Sequence, residues 1–436
     1  MTATLPRSRS ASRAARRPAA TTPATMRALL VALVLLSLAW GAFGGWVASQ
    51  HSSAAGSLVA VREPLSLDAR QMYESIADAD VTITATLLAD SQPALPPLRR
   101  YQADVAQASA DLARLQAGGG NQELKTALAA LVSGLPAYTG YVADAQSEFS
   151  LGYPLTGGSF LQVASEEAHL VLLPAAKTVF TQENAALTAA SGQATGLPTV
   201  LAALVLALII AFILYRAQRW LARRTNRVFS PGLVLASLLL VISVIWLAAA
   251  FLGARSDLDR GIGQGSQPAQ NLAQASIGVQ QIRGDAVLNV ISRSGNTSFH
   301  DDFLTTSQHV GPGSGTLLTS AATAQPTSGQ AASLVAAAQR QATAWYTANA
   351  DVYTLGAKAD YAAERTAVIT GSSAAGYTAL ERDITQAITA DEATFGSAAT
   401  EGSHALNPME PVVIVASLLM ALGCAWGFSR RLAEYR

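Results

Sequence analysis

The sequence predicts an all-α membrane protein with four transmembrane helices and two extracytoplasmic helical-bundle domains in tandem. Three observations carry this. Four apolar runs interrupt the chain, each long enough with its flanks to cross a hydrocarbon core of about 30 Å, which takes about 20 helical residues. Between them, apolar residues recur at alternating steps of three and four, the spacing of one helix face. Valine and isoleucine gather in the apolar runs, and no stretch alternates as a half-buried strand does.

Composition and charge set the topology. Half of the 436 residues are hydrophobic and only 13% are charged, values that suit a chain partly in lipid. The formal net charge of zero conceals an asymmetry. Residues 1–27 hold six arginines and no acid, and residues 216–230 hold five arginines and no acid. After Phe428 come Arg430, Arg431 and Arg436 against Glu434, so the acids concentrate in the two long segments between spans. Short basic segments are retained in the cytoplasm, which predicts a multi-pass plasma-membrane protein with both termini inside. Cys424 is the sole cysteine and lies in an apolar run, so no intramolecular disulfide can form and the outer domains must hold by packing.

Residues 1–26 are rich in Arg, Ser, Thr, Ala and Pro and read as a disordered cytoplasmic tail. Residues 27–49 are the first span. It reads as an uncleaved anchor rather than a signal peptide, because its apolar run is about twice a usual h-region and three more spans follow. Trp40 and Trp46 fall toward its outer interface, where indoles are favoured.

Residues 50–197 form the first outer domain, a four-helix bundle. Met72, Ile76, Ala79, Ile83 and Leu87 mark one stripe; Leu98, Tyr101, Val105, Ala108, Leu112 and Leu115 another; Leu124, Leu128, Leu131, Leu135, Tyr138, Val142, Ala145 and Phe149 a third. Pro93 with Pro96-Pro97, then Gly118-Gly119-Gly120, then Gly152 to Gly158 around Pro154 break the pattern. Helices at about 65–90, 98–117, 122–149 and 159–190 follow, antiparallel because their connections are short. Pro136 and Pro174 lie inside two of them and should kink them. The apolar stripe is complete enough to predict that this domain folds alone.

Residues 198–215 are the second span, 216–230 a cytoplasmic basic turn, and 231–253 the third span. Residues 254–409 repeat the outer plan less clearly. Leu272, Ala275, Val279, Ile282, Ala286 and Val290 mark one helix, Ala338, Ala342, Trp345 and Val352 a second, and Tyr377, Leu380, Ile384, Ile388 and Phe395 a third. Polar gaps interrupt these stripes. Residues 410–428 are the fourth span and 429–436 a cytoplasmic tail. Two units of span, outer domain and span point to a tandem duplication.

No motif brings catalytic chemistry, and the reading is that the protein is no enzyme and uses no cofactor. There is no phosphate loop, no Gly-x-Gly-x-x-Gly after a strand, no paired zinc motif and no Gly-x-Ser-x-Gly. The inner segments are too short for a folded catalytic domain, since chains under about 40 residues rarely bury a stable core. Glu166-x-x-His169 and Glu401-x-x-His404 have the spacing of di-iron bundles, but that site needs both pairs and two more glutamates in one core. The plainer reading is two surface polar faces, and no metal site is expected. His300-Asp301-Asp302 reads first as a helix end and second as a weak cation site. The apolar runs hold no ionisable residue, which argues against a pump or proton-coupled carrier. Gly41-x-x-x-Gly45 and Gly423-x-x-x-Gly427 are either chance pairs or sites of close helix approach, to another span or to a second copy in a homodimer. The candidate docking residues are Arg216, Arg219, Trp220, Arg223, Arg224 and Arg227. Their plain role is topology and attraction to anionic lipid, their sharper one a platform for an acidic patch on a cytoplasmic partner. Nothing points to nucleic acid.

The segments Tyr73 through Ala77-Asp78-Ala79-Asp80, Tyr153-Pro154 through Leu161, and Leu173-Pro174-Ala175-Ala176, together with the four-span plan, carry a resemblance. The chain resembles the GlnX-like family of four-span actinobacterial membrane proteins. That resemblance implies a non-enzymatic signalling adaptor in amino-acid sensing. It would pass extracellular amino-acid availability from a GlnH-type solute-binding lipoprotein to a PknG-type cytoplasmic Ser/Thr kinase. It names no binding residue. The outer domains are also similar to the four-helix sensor domains of chemoreceptors, without the HAMP and signalling coiled coil. Two alternatives stand beside the adaptor: a receptor whose outer bundles bind a small ligand directly, and a structural cell-envelope or transport accessory protein.

Overall fold

A computed structural model describes residues 22–89, 95–194, 196, 198–225, 231–292, 298–311, 313–326, 329–406 and 409–433. Among them the structure is helical, with no strand. The first half holds α1 (Thr22–Ser57), α2 (Glu63–Ala89), α3 (Leu95–Ala117), α4 (Gln122–Ser150), α5 (Pro154–Glu167), α6 (Leu173–Ala194) and α7 (Pro198–Thr225). The second holds α8 (Pro231–Gly261), α9 (Gln267–Ser292), α10 (Ser298–Val310), α11 (Leu317–Ala324), α12 (Gln330–Ala357), α13 (Tyr361–Ile369), α14 (Ser372–Leu406) and α15 (Met409–Ala433).

Prolines shape three of the long helical legs. Single π-helical turns at Leu58–Arg62, Ala168–Leu172 and Ile262–Ser266 join α1 to α2, α5 to α6 and α8 to α9. Each ends two residues before a proline: Pro64, Pro174 and Pro268. A proline has no N–H for the carbonyl four residues back, and its ring crowds that carbonyl. The residue before each proline, Glu63, Leu173 or Gln267, instead donates its N–H five residues back, to Leu58, Ala168 or Ile262. The wider turn makes the room. Pro136, expected to kink its helix as Pro174 does, sits inside an uninterrupted α4.

The chain divides into two compact units. One comprises residues 1–49, 197–249 and 408–436. Here glycines bring helices together. A Cβ on Gly41 or Gly44 would collide with Ser417 or Val413, so α1 lies directly on α15. A Cβ on Gly232 would collide with Gly423 and Gly427, so α8 meets α15 backbone to backbone. Each of the two Gly-x-x-x-Gly pairs therefore packs on another helix of the same chain. Gln218 joins α7 to α8, its Nε2 donating to the Leu233 carbonyl at 3.1 Å and to Ser237 Oγ at 2.9 Å. Large apolar side chains face outward on these helices, among them Leu35, Leu208, Phe212, Ile245 and Leu422.

Among the described residues five helical stretches are long and apolar enough to cross a membrane: Arg27–Leu87, Gln122–Ser150, Pro154–Trp220, Pro231–Val290 and Tyr361–Gly427. Four contain the runs read as spans. The fifth is α4, the least apolar of the set. Its large apolar side chains turn inward at Leu124, Leu128, Leu131, Leu135, Tyr138, Val142 and Phe149, and of the large ones only Val132 is exposed.

The other unit comprises residues 50–196 and 250–407. The two outer segments, read from the sequence as separate bundles, share one apolar core here. Met72, Ile76, Leu131, Tyr138 and Leu172 from the first belong to the same cluster as Leu272, Val279, Ile282, Trp345 and Leu380 from the second. The reason is α9. From residue 272 to 287 only Gln274 is exposed. A helix buried on all sides is a central helix, and α9 packs against α2, α5, α10, α11, α12, α13 and α14. The Arg70 guanidinium adds an ionic tie between the segments, 2.9 Å from Glu74 on its own helix and 3.4 Å from Glu392 on α14.

The basic segment also differs from its expected form. It is not a turn from residue 216 onward: α7 continues through Thr225, so Arg216, Arg219, Trp220, Arg223 and Arg224 belong to a helix.

Candidate ligand-binding site

Both α2 and α9 start from a π turn and a proline, and they pack against each other. Each then carries charged residues two positions apart: Asp78 and Asp80 on α2, Arg283 and Asp285 on α9. At 3.6 residues per turn, positions two apart point about 200° apart around the axis. The α2–α9 pair thus works as a partition with a polar pocket on each side. Asp78 and Arg283 line one pocket; Asp285 lines the other, and Asp80 holds that pocket's histidine.

The first pocket has a volume of about 540 Å³. Asp78, Arg100, Arg283, Tyr377, Thr378 and Glu381 line it together with Thr82 and Thr86, with Pro96 and Pro97 at one wall. Arg100 grips Asp78 with a two-pronged fork, Nε at 2.7 Å and Nη2 at 2.9 Å. Arg283 is only 4% exposed, yet its Nε and Nη1 have no hydrogen-bond partner. Its guanidinium carbon stands 5.6 Å from the centre of the Tyr377 ring. Burial pulls this guanidinium below its ordinary pKa, while Tyr377 and Glu381 oppose that pull. Glu381 accepts from Gln280 Nε2 at 3.4 Å, and burial with the Asp78 charge pushes its carboxyl up to about 7.

The second pocket has a volume of about 590 Å³ and is lined by Tyr73, Glu166, His169, Lys177, Asp285 and Asp302, among others. His169 lies inside the π turn between α5 and α6, and π turns recur at functional sites. Its Nε2 is 3.3 Å from Asp80 Oδ2, and Ser165 Oγ donates to the same oxygen at 2.8 Å. The ring lies against Gly284, where a Cβ would collide with it. Burial lowers the His169 pKa, but Asp80 and then Asp285 raise it more, so the net direction is up. Asp285 is pushed up to about 7 by burial, against the pull of His169. In a hydrolytic triad the histidine stands between serine and carboxylate. Here Asp80 stands between Ser165 and His169, so the histidine does not activate the hydroxyl. This arrangement does not make a nucleophile of Ser165.

Of the candidate residues singled out in the sequence, Glu166, His169 and Asp302 line the second pocket and the others fall elsewhere. Arg216, Arg219 and Arg223 are exposed on the last turns of α7, Trp220 is half-buried, and Arg219 Nη1 donates to the Tyr215 hydroxyl at 3.2 Å. Arg224 lies on the same helix, and Arg227 lies outside the described residues. His169, expected on a polar surface, is instead half-buried against Asp80 within the π turn. Glu401 and His404 stay exposed on α14. Asp301 falls in the first turn of α10, the plain reading of that acidic run, while His300 stacks on Tyr353 at 5.1 Å. Among the described residues no three His, Cys, Asp or Glu side chains are placed to hold a metal ion. Arg283, Asp285, Asp80 and Glu381 were missed. The available signal was a charge set directly beside the apolar stripe, as Arg283 beside Ile282 and Asp80 beside Ala79.

Residues 54–192, which contain α2 to α5 and all but the last two residues of α6, match the family model described as an actinobacterial sensor domain. No curated protein and no solved structure matches the chain.

Proposed function

We propose that the chain is a non-enzymatic transmembrane sensor: its outer helical unit responds to a solute, and its membrane helices pass the response to a cytoplasmic partner. The observation that carries this reading is the pair of solute-sized pockets on either side of the α2–α9 partition, one wall of which lies in the stretch similar to a sensor domain. Helices α1 and α8 each hold residues of both units, so the chain supplies a direct mechanical path. A ligand shifts such a system only by binding one packing of the helices better than the other.

In this reading residues 50–197 and 254–409 lie outside the cell and four helices span the membrane. The inward-turned apolar face of α4 supports its place in the outer unit. The signal is amino-acid availability, and the receiving partner is a Ser/Thr kinase of the PknG type, docked on the arginines at the end of α7. Topology is checked by outside labelling of single cysteines in a Cys424→Ala background. Ser150→Cys and Ser314→Cys should label and Thr225→Cys should not; outside labelling at 225 refutes the arrangement. The output is checked by changing Arg219, Arg223 and Arg224 to Gln, which leaves Arg216 and Arg227 for topology. The variant should insert normally and lose crosslinks to the kinase. Unchanged crosslinks and signalling place the output elsewhere.

A second reading has a solute-binding lipoprotein of the GlnH type deliver the signal. The connection between α4 and α5 favours it: Leu151, Tyr153 and Leu155 are all exposed there, an apolar tip of the kind that docks a protein.

A further inference from the structure

A buried cation with open hydrogen-bond positions is costly unless something completes it. Arg283 is such a group. It is the central helix's only arginine, 4% exposed, with Nε and Nη1 unpaired at the wall of the first pocket. The nearby acids do not complete it. Asp78 is taken by both prongs of Arg100, and Glu381 is engaged by Gln280 and by the Tyr377 hydroxyl. The Tyr377 ring stacks near the guanidinium and fixes its plane without satisfying its N–H groups. A planar guanidinium matches a carboxylate, which accepts N–H bonds along one of its edges.

We propose that the pocket between α2, α3, α9 and α14 binds a small carboxylate-bearing solute of low net charge, with Arg283 as the anchor of its carboxylate. The charge limit follows from the lining. Arg100 and Arg283 face Asp78 and Glu381, so the walls are near neutral and a polyanion would meet two acids. A monocarboxylate fits, and so does a zwitterionic amino acid whose ammonium faces Glu381. The volume of about 540 Å³ accommodates either with several waters. This assignment deepens the sensor reading and takes its biological meaning from it, but the binding itself can be tested separately.

The test uses the full chain in lipid nanodiscs, titrated calorimetrically and melted with propionate, L-glutamine, L-glutamate, citrate and inorganic phosphate. Saturable binding of propionate or an amino acid, with citrate and phosphate at least tenfold weaker, supports the site. Propionate separates a bare carboxylate from a zwitterion: binding of glutamine alone shows that the ammonium is needed. Arg283→Met should abolish that binding while raising the melting temperature of the ligand-free chain, because it deletes an unpaired buried charge without opening a cavity. Arg283→Lys should keep part of the affinity, and Arg340→Met on the exposed face of α12 should keep all of it. Absence of saturable carboxylate binding, tighter binding of phosphate, or equal binding by Arg283→Met overturns the proposal. Binding that depends on Arg283, in a chain whose signalling ignores the Arg283→Met change, keeps the site and overturns the sensor reading instead.

Discussion

The first long segment, α2 to α6, and the second, α9 to α14, are built from the same helices-and-turns plan but spend their polar residues differently. In the first, charges mostly pair at the rim. Arg100 and Arg114 reach from exposed positions to Asp78 and Asp68, although Asp80, Thr84, Asp111 and Glu183 are buried beside the apolar stripes. In the second, polar groups go inside. Asn349 accepts from Ser373 Oγ at 3.0 Å, Asn289 donates to Glu364 at 2.6 Å, Gln325 donates to Asp391 at 2.8 Å, and Arg283 has no full partner. A segment with an apolar interior needs only the right face and volume. A segment with buried polar groups must satisfy each of them, which specifies its packing but leaves any unsatisfied member available for a ligand. The contrast is one of degree, since Asp80, Ser165 and His169 bring a buried polar cluster from the first segment to the second pocket.

The strongest way to break this comparison is to ask whether the two segments melt together. Leu131 is 1% exposed on α4 and Ile384 is fully buried on α14, both in one cluster. Leu131→Asp or Ile384→Asp buries an unpaired charge and should cost about 3–5 kcal/mol. Because the core is shared, either change should lower the same thermal transition of the outer unit, followed by circular dichroism of the full chain in detergent. Two transitions, each responding to only one of the substitutions, mean that the segments are independent domains after all.

This sharing explains what the sequence hid. Helices, breaks and apolar stripes follow from local rules, so the edges of α3 and α4 fell within a few residues of their expected places. The merging of the segments is a long-range fact. Its trace is that α9 carries Ala273, Ile277 and Val287 off the main stripe, so apolar residues surround the helix. The π turns were legible only in part, because a proline announces a disturbance but not its form: Pro174 has a π turn before it and Pro136 does not. The pockets were least legible. Asp80 and His169 are far apart in sequence and meet only once α2 packs on the α5–α6 leg. Arg283 interrupts an apolar stripe, and a polar gap looks the same whether it marks a weak core or a binding group. The basic end of α7 was read as a turn because arginine content sets topology but not helix length.

The buried acids give the comparison a second edge, through pH. Burial is the main cause that pushes Asp285, Glu381 and Glu392 up to about 7, and Asp391 up to about 6. These four lie in the second segment, and burial pushes Asp104 up to about 7 and Asp111 up to about 6 in the first. An acid that stays protonated in the fold but ionises in the unfolded chain makes stability fall as pH rises. The fall begins near the ordinary carboxylate range, about 4, and ends as pH passes the folded value near 7. His169 acts in the same sense: its raised pKa gives stability below its ordinary value that is lost as pH climbs through the folded one. The outer unit should therefore melt roughly 5 °C or more higher at pH 5 than at pH 7.5. Asp285→Asn together with Glu392→Gln should flatten the slope. A melting temperature that rises over this window contradicts the burial assigned to these groups.

The smallest effect separates the segments at a helix start. Asn121 caps α4: its Oδ1 accepts from the Leu124 N–H at 2.8 Å, and its Nδ2 donates to Gln182 on α6 at 2.9 Å. Thr316 caps α11 more loosely, accepting from the Thr319 N–H at 3.4 Å while its hydroxyl donates to the Gly313 carbonyl at 2.9 Å. Removing a side-chain cap costs about 1 kcal/mol, because one of the first N–H groups of the helix loses its acceptor. Asn121→Ala should thus lower the melting temperature by a few degrees. Asn121→Asp keeps the acceptor, adds a negative charge at the positive end of α4, and should recover most of the loss. Thr316→Ala removes a longer acceptor contact but also a buried donor, so its cost should come from the Gly313 carbonyl more than from the cap. Thr316→Ser, which keeps the hydroxyl, should restore it. If Asn121→Ala and Asn121→Asp fall equally, the Gln182 contact and not the cap holds this end of α4, and the first segment depends on side-chain pairing as much as its partner does.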